Sequence, residues 1–181
     1  MNTDVTAERM ARPAQDEYAP FYGPYVAHVP AGDIVRLLES ELDATVGFFR
    51  AIPADRTTAG YAPGKWSIRE IVGHLCDTER IMTYRALRFA RGDRTPVPGF
   101  EENDYVPTSG ASVRTMEELL AELRAVRGAT VALFDGLPAE AWRRRGVANG
   151  AEVSVRALAA IVVGHVLHHQ GVVRDRYLAR S

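Results

Sequence analysis

His165 and His169 stand four residues apart, a spacing that puts two imidazoles on one face of a helix, about 6 Å apart along its axis and near enough to share one metal ion. His168, three residues from His165, competes for the same role. The neighbouring apolar residues separate the two. With about 100° per residue and His165 at zero, Leu158, Ile161, Val162 and Val172 form a stripe around His165, with His169 near +40° and His168 near −60°. His169 is therefore closer to the middle of the buried stripe and His168 lies toward its edge. A buried imidazole needs partners for both ring nitrogens, and a metal ion on one with an acceptor on the other meets that need.

A third ligand has two candidates. His28 precedes Pro30 in an irregular segment, whereas His74 sits among Ile71, Val72, Leu75 and Ile81. At helical spacing His74 shares a face with Ile71, Thr78 and Ile81, so it points inward and is the preferred ligand. Taken singly, each histidine is more often a satisfied core or surface residue than a ligand; the pair on an apolar face carries the metal reading. Three imidazoles leave at least one position for water or substrate, unlike the closed four-ligand set of a structural zinc. Zn, Ni and Fe all suit such a donor set, so the divalent metal is not named by the sequence.

Other chemistry is thin. The outer spacing of His165 and His169 is that of a zinc-peptidase helix, but no glutamate follows His165, so the general base of that motif is missing. Cys76 lies about 200° round the helix from His74, which makes it a buried or partner-facing thiol rather than a fourth ligand. Asp77, one turn beyond His74, is a candidate to orient a ligand or a bound water, against the plainer reading of a surface aspartate. The sequence holds no Gly-rich phosphate loop and no Gly-x-Ser-x-Gly elbow. No catalytic acid or base declares itself.

The elements that must position these residues read as helices. Ile34, Leu37, Leu38, Leu42, Val46 and Phe49 recur at helical spacing behind Asp33 as N-cap, and Pro53 ends the run. Ser67-Ile68-Arg69-Glu70 is a capping box that opens a helix running to about Arg91, before Gly92. Thr115-Met116-Glu117-Glu118 is a second box, opening a helix toward Gly136. A fourth helix begins near Ser154 and is expected to run through Tyr177. Four such helices without a run of strands predict an all-α four-helix bundle. The connections are long for a bundle, and a short helical turn is expected at Pro138 to Trp142. Residues 1–17 read as a flexible N-terminal arm and 18–181 as the bundle domain, entered through Tyr18, Phe21, Tyr22 and Tyr25.

Composition sets outer limits. With 181 residues and 46% hydrophobic content the chain suits one core. A formal charge of −1 gives no overall drive toward nucleic acid or anionic lipid, and Arg143-Arg144-Arg145 reads as a solvated face. Cys76 is the only cysteine, which excludes an internal disulfide; with no signal-like segment, the expected compartment is the cytoplasm. Ser154, Arg156 and His165 break the longest apolar stretch, which argues against a membrane span.

The run Tyr61-Ala62-Pro63-Gly64-Lys65-Trp66-Ser67-Ile68-Arg69-Glu70, followed by Gly73-His74-Leu75 and Asp77-Thr78-Glu79-Arg80, closely resembles the second-helix signature of DinB/YfiT-like proteins. Gly164-His165-Val166-Leu167-His168-His169 resembles their last-helix metal motif, and the likeness extends from about Tyr18 to the C-terminus. The resemblance implies a four-helix bundle, often a homodimer, with His74, His165 and His169 in the ligand positions. It also implies either metal-dependent transfer of a low-molecular-weight thiol to a small molecule, or hydrolysis. A non-enzymatic, stress-linked metal- or ligand-binding dimer is the remaining alternative. No thiol-binding motif stands out in the sequence.

Overall fold

The computed structural model describes residues 3–179. In chain order its helices are α1 (Thr3–Met10), α2 (Gly23–His28), α3 (Ile34–Arg50), α4 (Ile68–Ala90), α5 (Glu102–Tyr105), α6 (Met116–Asp135), α7 (Ala139–Trp142) and α8 (Val155–Val172). A wider helical turn over Val173–Leu178 prolongs α8. Two short strands, β1 (Arg145–Ala148) and β2 (Ala151–Ser154), form an antiparallel hairpin.

The long helices start where the sequence supplies caps. Asp33 accepts from the amides of Val35 and Arg36, and Ser154 from that of Ala157. Ser67 with Glu70, and Thr115 with Glu118, each close a reciprocal capping box. α4 packs on α6 and α8, and α3 packs on the same two, so the four stand in a ring with α3 diagonal to α4. This is the expected four-helix bundle. No helix among the described residues is long and apolar enough to cross a membrane.

The interior divides into two apolar halves along the bundle. One gathers Leu38, Phe89, Phe134, Trp142, Leu158 and Ile161; the other gathers Phe49, Ile68, Leu75, Leu119, Leu123 and Val166. Between them lie buried polar groups. Arg127 donates to both carboxylate oxygens of Glu79 at 2.7 and 2.8 Å and to the Leu38 carbonyl at 3.0 Å. On the side of α8, Gln170 donates to Thr45 at 2.7 Å, and His165 is buried on the same helix.

Residues 3–17, within the segment expected from sequence to be a flexible arm, contact the body of the bundle. Over the described part, α1 packs on α3 and α7. Glu8 is buried against Arg143 and Arg156, and buried Glu17 accepts from Arg156 Nε at 2.6 Å and from Ser154 at 2.7 Å. These partners stand about 135 residues away in the chain, so local polarity conceals the contacts that hold the segment. The arginine run is solvated only in part: Arg143 meets Glu8, Arg144 meets the Ala90 carbonyl, and Arg145 pairs with Asp16 and Glu152 at 2.9 Å each.

The hairpin is an addition to the sequence reading. Asn149 and Gly150 turn it with φ of 52° and 74°, the two positive values that a two-residue Asn-Gly turn requires. Val97 bridges to this hairpin, its amide donating to the Val147 carbonyl at 2.9 Å while its carbonyl accepts from Asn149 at 3.0 Å. The segment around Pro98 to Phe100 is thereby held beside α4.

Candidate metal centre

α4 and α8 bring together His74, His165 and His169, three of the histidines singled out by spacing. His165 Nε2 lies 3.0 Å from His74 Nε2 and 3.1 Å from His169 Nε2. Each ring meets the others nearly edge to face, with centroids 4.5 to 5.0 Å apart. His74 and His165 are buried and His169 is half-buried. His168 lies outside this cluster: it meets Tyr25 edge to face with centroids 5.1 Å apart, and its ring lies 5.9 Å from that of exposed His28.

An imidazole nitrogen offers one lone pair or one N–H, never both. His165 Nε2 faces two neighbours of its own kind, so its single lone pair or single N–H must be shared between them and serves neither fully. A cation at their common centre removes that conflict, because all three nitrogens then present lone pairs to it. The two spacings at His165 are close to the roughly 3.3 Å that a tetrahedral ion with bonds of about 2.0–2.1 Å sets between its nitrogens, and the ligand atoms of all three rings lie within 4.8 Å of one another. Burial pushes the imidazole of His74 down to about 4 and that of His169 to about 3. Burial, followed by its imidazole neighbours, drives His165 well below the usual range. All three rings are therefore neutral near pH 7, which is the ligating form.

Neighbouring groups fix the rings. Thr78 Oγ1 lies 3.4 Å from His74 Nδ1, and Trp66 packs on the His74 ring at 4.8 Å. Asp77, the sequence candidate for an orienting group, faces Arg80 at 3.6 Å instead. At about 100° per residue Thr78 stands near +40° from His74 and Asp77 near −60°, the same division that separates His169 from His168. His169 Nδ1 is buried without a partner among the described residues. Tyr25 lies edge-on to His165 at 5.3 Å. Gly164 permits that approach, because a Cβ there would fall 1.9 Å from the Tyr25 carbonyl oxygen.

Cys76 is buried, and burial pushes its thiol up to about 12, so it contributes neither ligand nor nucleophile. Two depressions reach the histidines. A cleft of about 310 Å³ touches His74 and His165 and is lined further by Tyr25, Thr78, Arg85 and Phe100. A second, of about 240 Å³, touches His169 between Tyr61, Trp66 and Tyr177. Tyr177 donates to the Trp66 carbonyl at 2.5 Å and so ties the end of the chain to the loop before α4. Arg85 was not singled out by sequence reading, although it lies eleven residues beyond His74 and hence within about 20° of the same helix face.

Comparison with known proteins agrees with this architecture. A Geobacillus kaustophilus protein named "Putative metal-dependent hydrolase" is 24% identical over 142 residues, covering 71% of this chain and 80% of the relative. YfiT from Bacillus subtilis, described as "a probable metal-dependent hydrolase with an unusual four-helix bundle topology", superposes with a TM-score of 0.67 at 15% identity over 93% of each chain. A DinB-like protein, YjoA, from the same organism gives 0.56 at 22% identity, over 83% of this chain and 94% of that one. The DinB superfamily profile matches residues 37–173, a span that contains α4, α8 and all three clustered histidines, and the chain belongs to that superfamily.

Proposed function

We propose that this protein is a metal-dependent enzyme whose divalent ion is held by His74, His165 and His169, and that it transfers a low-molecular-weight thiol to an electrophilic small molecule. The observation behind this reading is the convergence of three Nε2 atoms in a buried cluster that two depressions reach. When bound there, a divalent ion keeps its positive charge among neutral imidazoles and lowers the pKa of a thiol or water at its open position. The chain's own groups hold that arrangement. Thr78 and Trp66 orient His74, and Tyr25 shields His165.

Two depressions on the histidines support a two-reactant reaction, in which thiol and electrophile approach separately. The names of the Geobacillus and YfiT relatives support water as the nucleophile instead. Products separate the readings: a thioether adduct marks transfer, and a water-derived product marks hydrolysis. A metal-loaded sample that turns over neither a thiol nor an ester panel would sink both.

Elemental analysis of native-purified protein is the first test, with about one ion per chain expected. His74→Ala, His165→Ala and His169→Ala should each lose most of it, because two imidazoles are too few protein ligands. His168→Ala and His28→Ala should keep it. Full retention in His74→Ala, or a loss in His168→Ala equal to that in His169→Ala, would overturn the ligand assignment.

A further inference from the structure

Arg85 is only 2% exposed, yet no ion pair reaches it among the described residues. Its Nη2 donates to the Pro98 carbonyl at 3.0 Å, its Nη1 faces the thioether of Met82 at 3.6 Å, and its Nε has no partner. The guanidinium carries five N–H donors, so one strong acceptor and one weak one leave it largely unsatisfied. Burying an arginine without a carboxylate is costly. The other fully buried arginine, Arg127, shows the usual remedy in its paired bonds to Glu79.

The position of Arg85 gives that deficit a use. His74, Thr78, Met82 and Arg85 follow one another along one face of α4, and all four line the same cleft. Phe100 covers the guanidinium, whose carbon lies 6.0 Å from the ring centroid. The cleft thus has the histidine cluster at one end and an unpaired buried cation at the other. Along the helix axis the two ends stand roughly 16 Å apart at Cα, and the arginine side chain leans back toward the helix N-terminus and shortens the gap.

We infer that Arg85 is a carboxylate-binding subsite, so that the small molecule acted on at the histidines carries a carboxylate on its far end. A carboxylate accepts two parallel N–H bonds from a guanidinium and supplies the missing charge. A monoanion fits better than phosphate, because Glu101 and Glu102 stand at the same cleft and repel each negative charge a ligand carries, which penalises a dianion more than a carboxylate paired with the guanidinium. The inference rests on the reading of this cleft as the substrate site, but not on a bound metal.

The test uses chelator-treated full-length protein and three probes: benzoate, its neutral counterpart benzamide, and inorganic phosphate. Calorimetric or NMR titration of wild type should show benzoate binding about ten-fold tighter than benzamide or phosphate. In Arg85→Met the benzoate preference should collapse to within about two-fold, and Arg85→Lys should restore part of it. Loss of the Pro98 contact alone would weaken both aromatic probes together and leave their ratio unmoved. Circular dichroism and metal occupancy of Arg85→Met should match wild type, which keeps this result separate from the fate of the metal reading. Equal binding of benzoate and benzamide to wild type would overturn the inference. So would a preference that survives in Arg85→Met, tighter phosphate binding, or a crystal structure with benzoate in which only water meets Nε.

Discussion

The polar groups midway along the bundle fall into two sets that differ in how far they satisfy themselves. On the side of α6, Glu79 and Arg127 cancel each other's charge through two bonds, and the Leu38 carbonyl takes a third N–H. On the side of α8, three neutral imidazoles crowd one point and none can fully serve the others. A closed set holds helices in register, whereas an open set needs something from outside the chain. The difference separates scaffold from site on physical grounds, since both sets are largely buried and both join distant helices.

The largest effect expected outside the histidines comes from opening the closed set. Arg127→Met leaves Glu79 without its partner in the core, which should cost about 3–5 kcal/mol. The double replacement Glu79→Leu with Arg127→Met should recover most of that, because no buried charge remains. Urea unfolding of metal-free protein measures both, and metal bound per folded molecule should stay at the wild-type level. A loss under about 1 kcal/mol for the single variant would mean that solvent already reaches Glu79, and the contrast between the two sets would fail.

A smaller effect belongs to the N-terminal segment, which is also held by matched charge. Burial alone would raise the Glu17 carboxyl, but hydrogen bonds from Arg156, Ser154 and the Ala14 amide prevail and hold it at about 2 rather than 4.5. A folded value below the unfolded one contributes stability that is complete above pH 4.5 and disappears as pH falls toward 2. The contribution is on the order of 3 kcal/mol. Glu17→Gln should lower stability near neutral pH and flatten the acid limb across that window, as followed by thermal unfolding at stepped pH. An unchanged acid limb would mean that the segment is held by packing instead.

Much of this was legible in sequence because it is local. Asp33, Ser67, Thr115 and Ser154 each cap a helix within three residues of themselves, and the position of His169 near the apolar stripe follows from helical geometry. What escaped depends on approach between distant segments. Glu8 and Glu17 look like an unstructured polar run until Arg143 and Arg156 arrive from beyond residue 140. Arg85 is one arginine among many in a chain whose only lysine is Lys65; its isolation shows only once Pro98 and Phe100 are folded over it. The hairpin did leave a local sign, the Asn149-Gly150 pair, but its four-residue strands carry too little alternation to outweigh helical neighbours.

The smallest effect sharpens the contrast from inside the open set. Thr78 Oγ1 is the one hydroxyl beside His74 Nδ1, at a long 3.4 Å, while Trp66 braces the same ring by packing. Groups that orient a ligating histidine through its second nitrogen are worth about 10–100-fold in metal affinity. The length of this contact places Thr78→Val at the low end, with about a ten-fold weaker ion measured by competition against a chromophoric chelator. Stability of the metal-free form should move little, because a weak hydrogen bond is exchanged for a methyl group in an apolar setting. An unchanged affinity would assign the orientation of His74 to Trp66 alone. A loss of about a hundred-fold or more would mean that the hydroxyl closes on Nδ1 once an ion draws Nε2 into place, so that the open set completes itself only around its ligand.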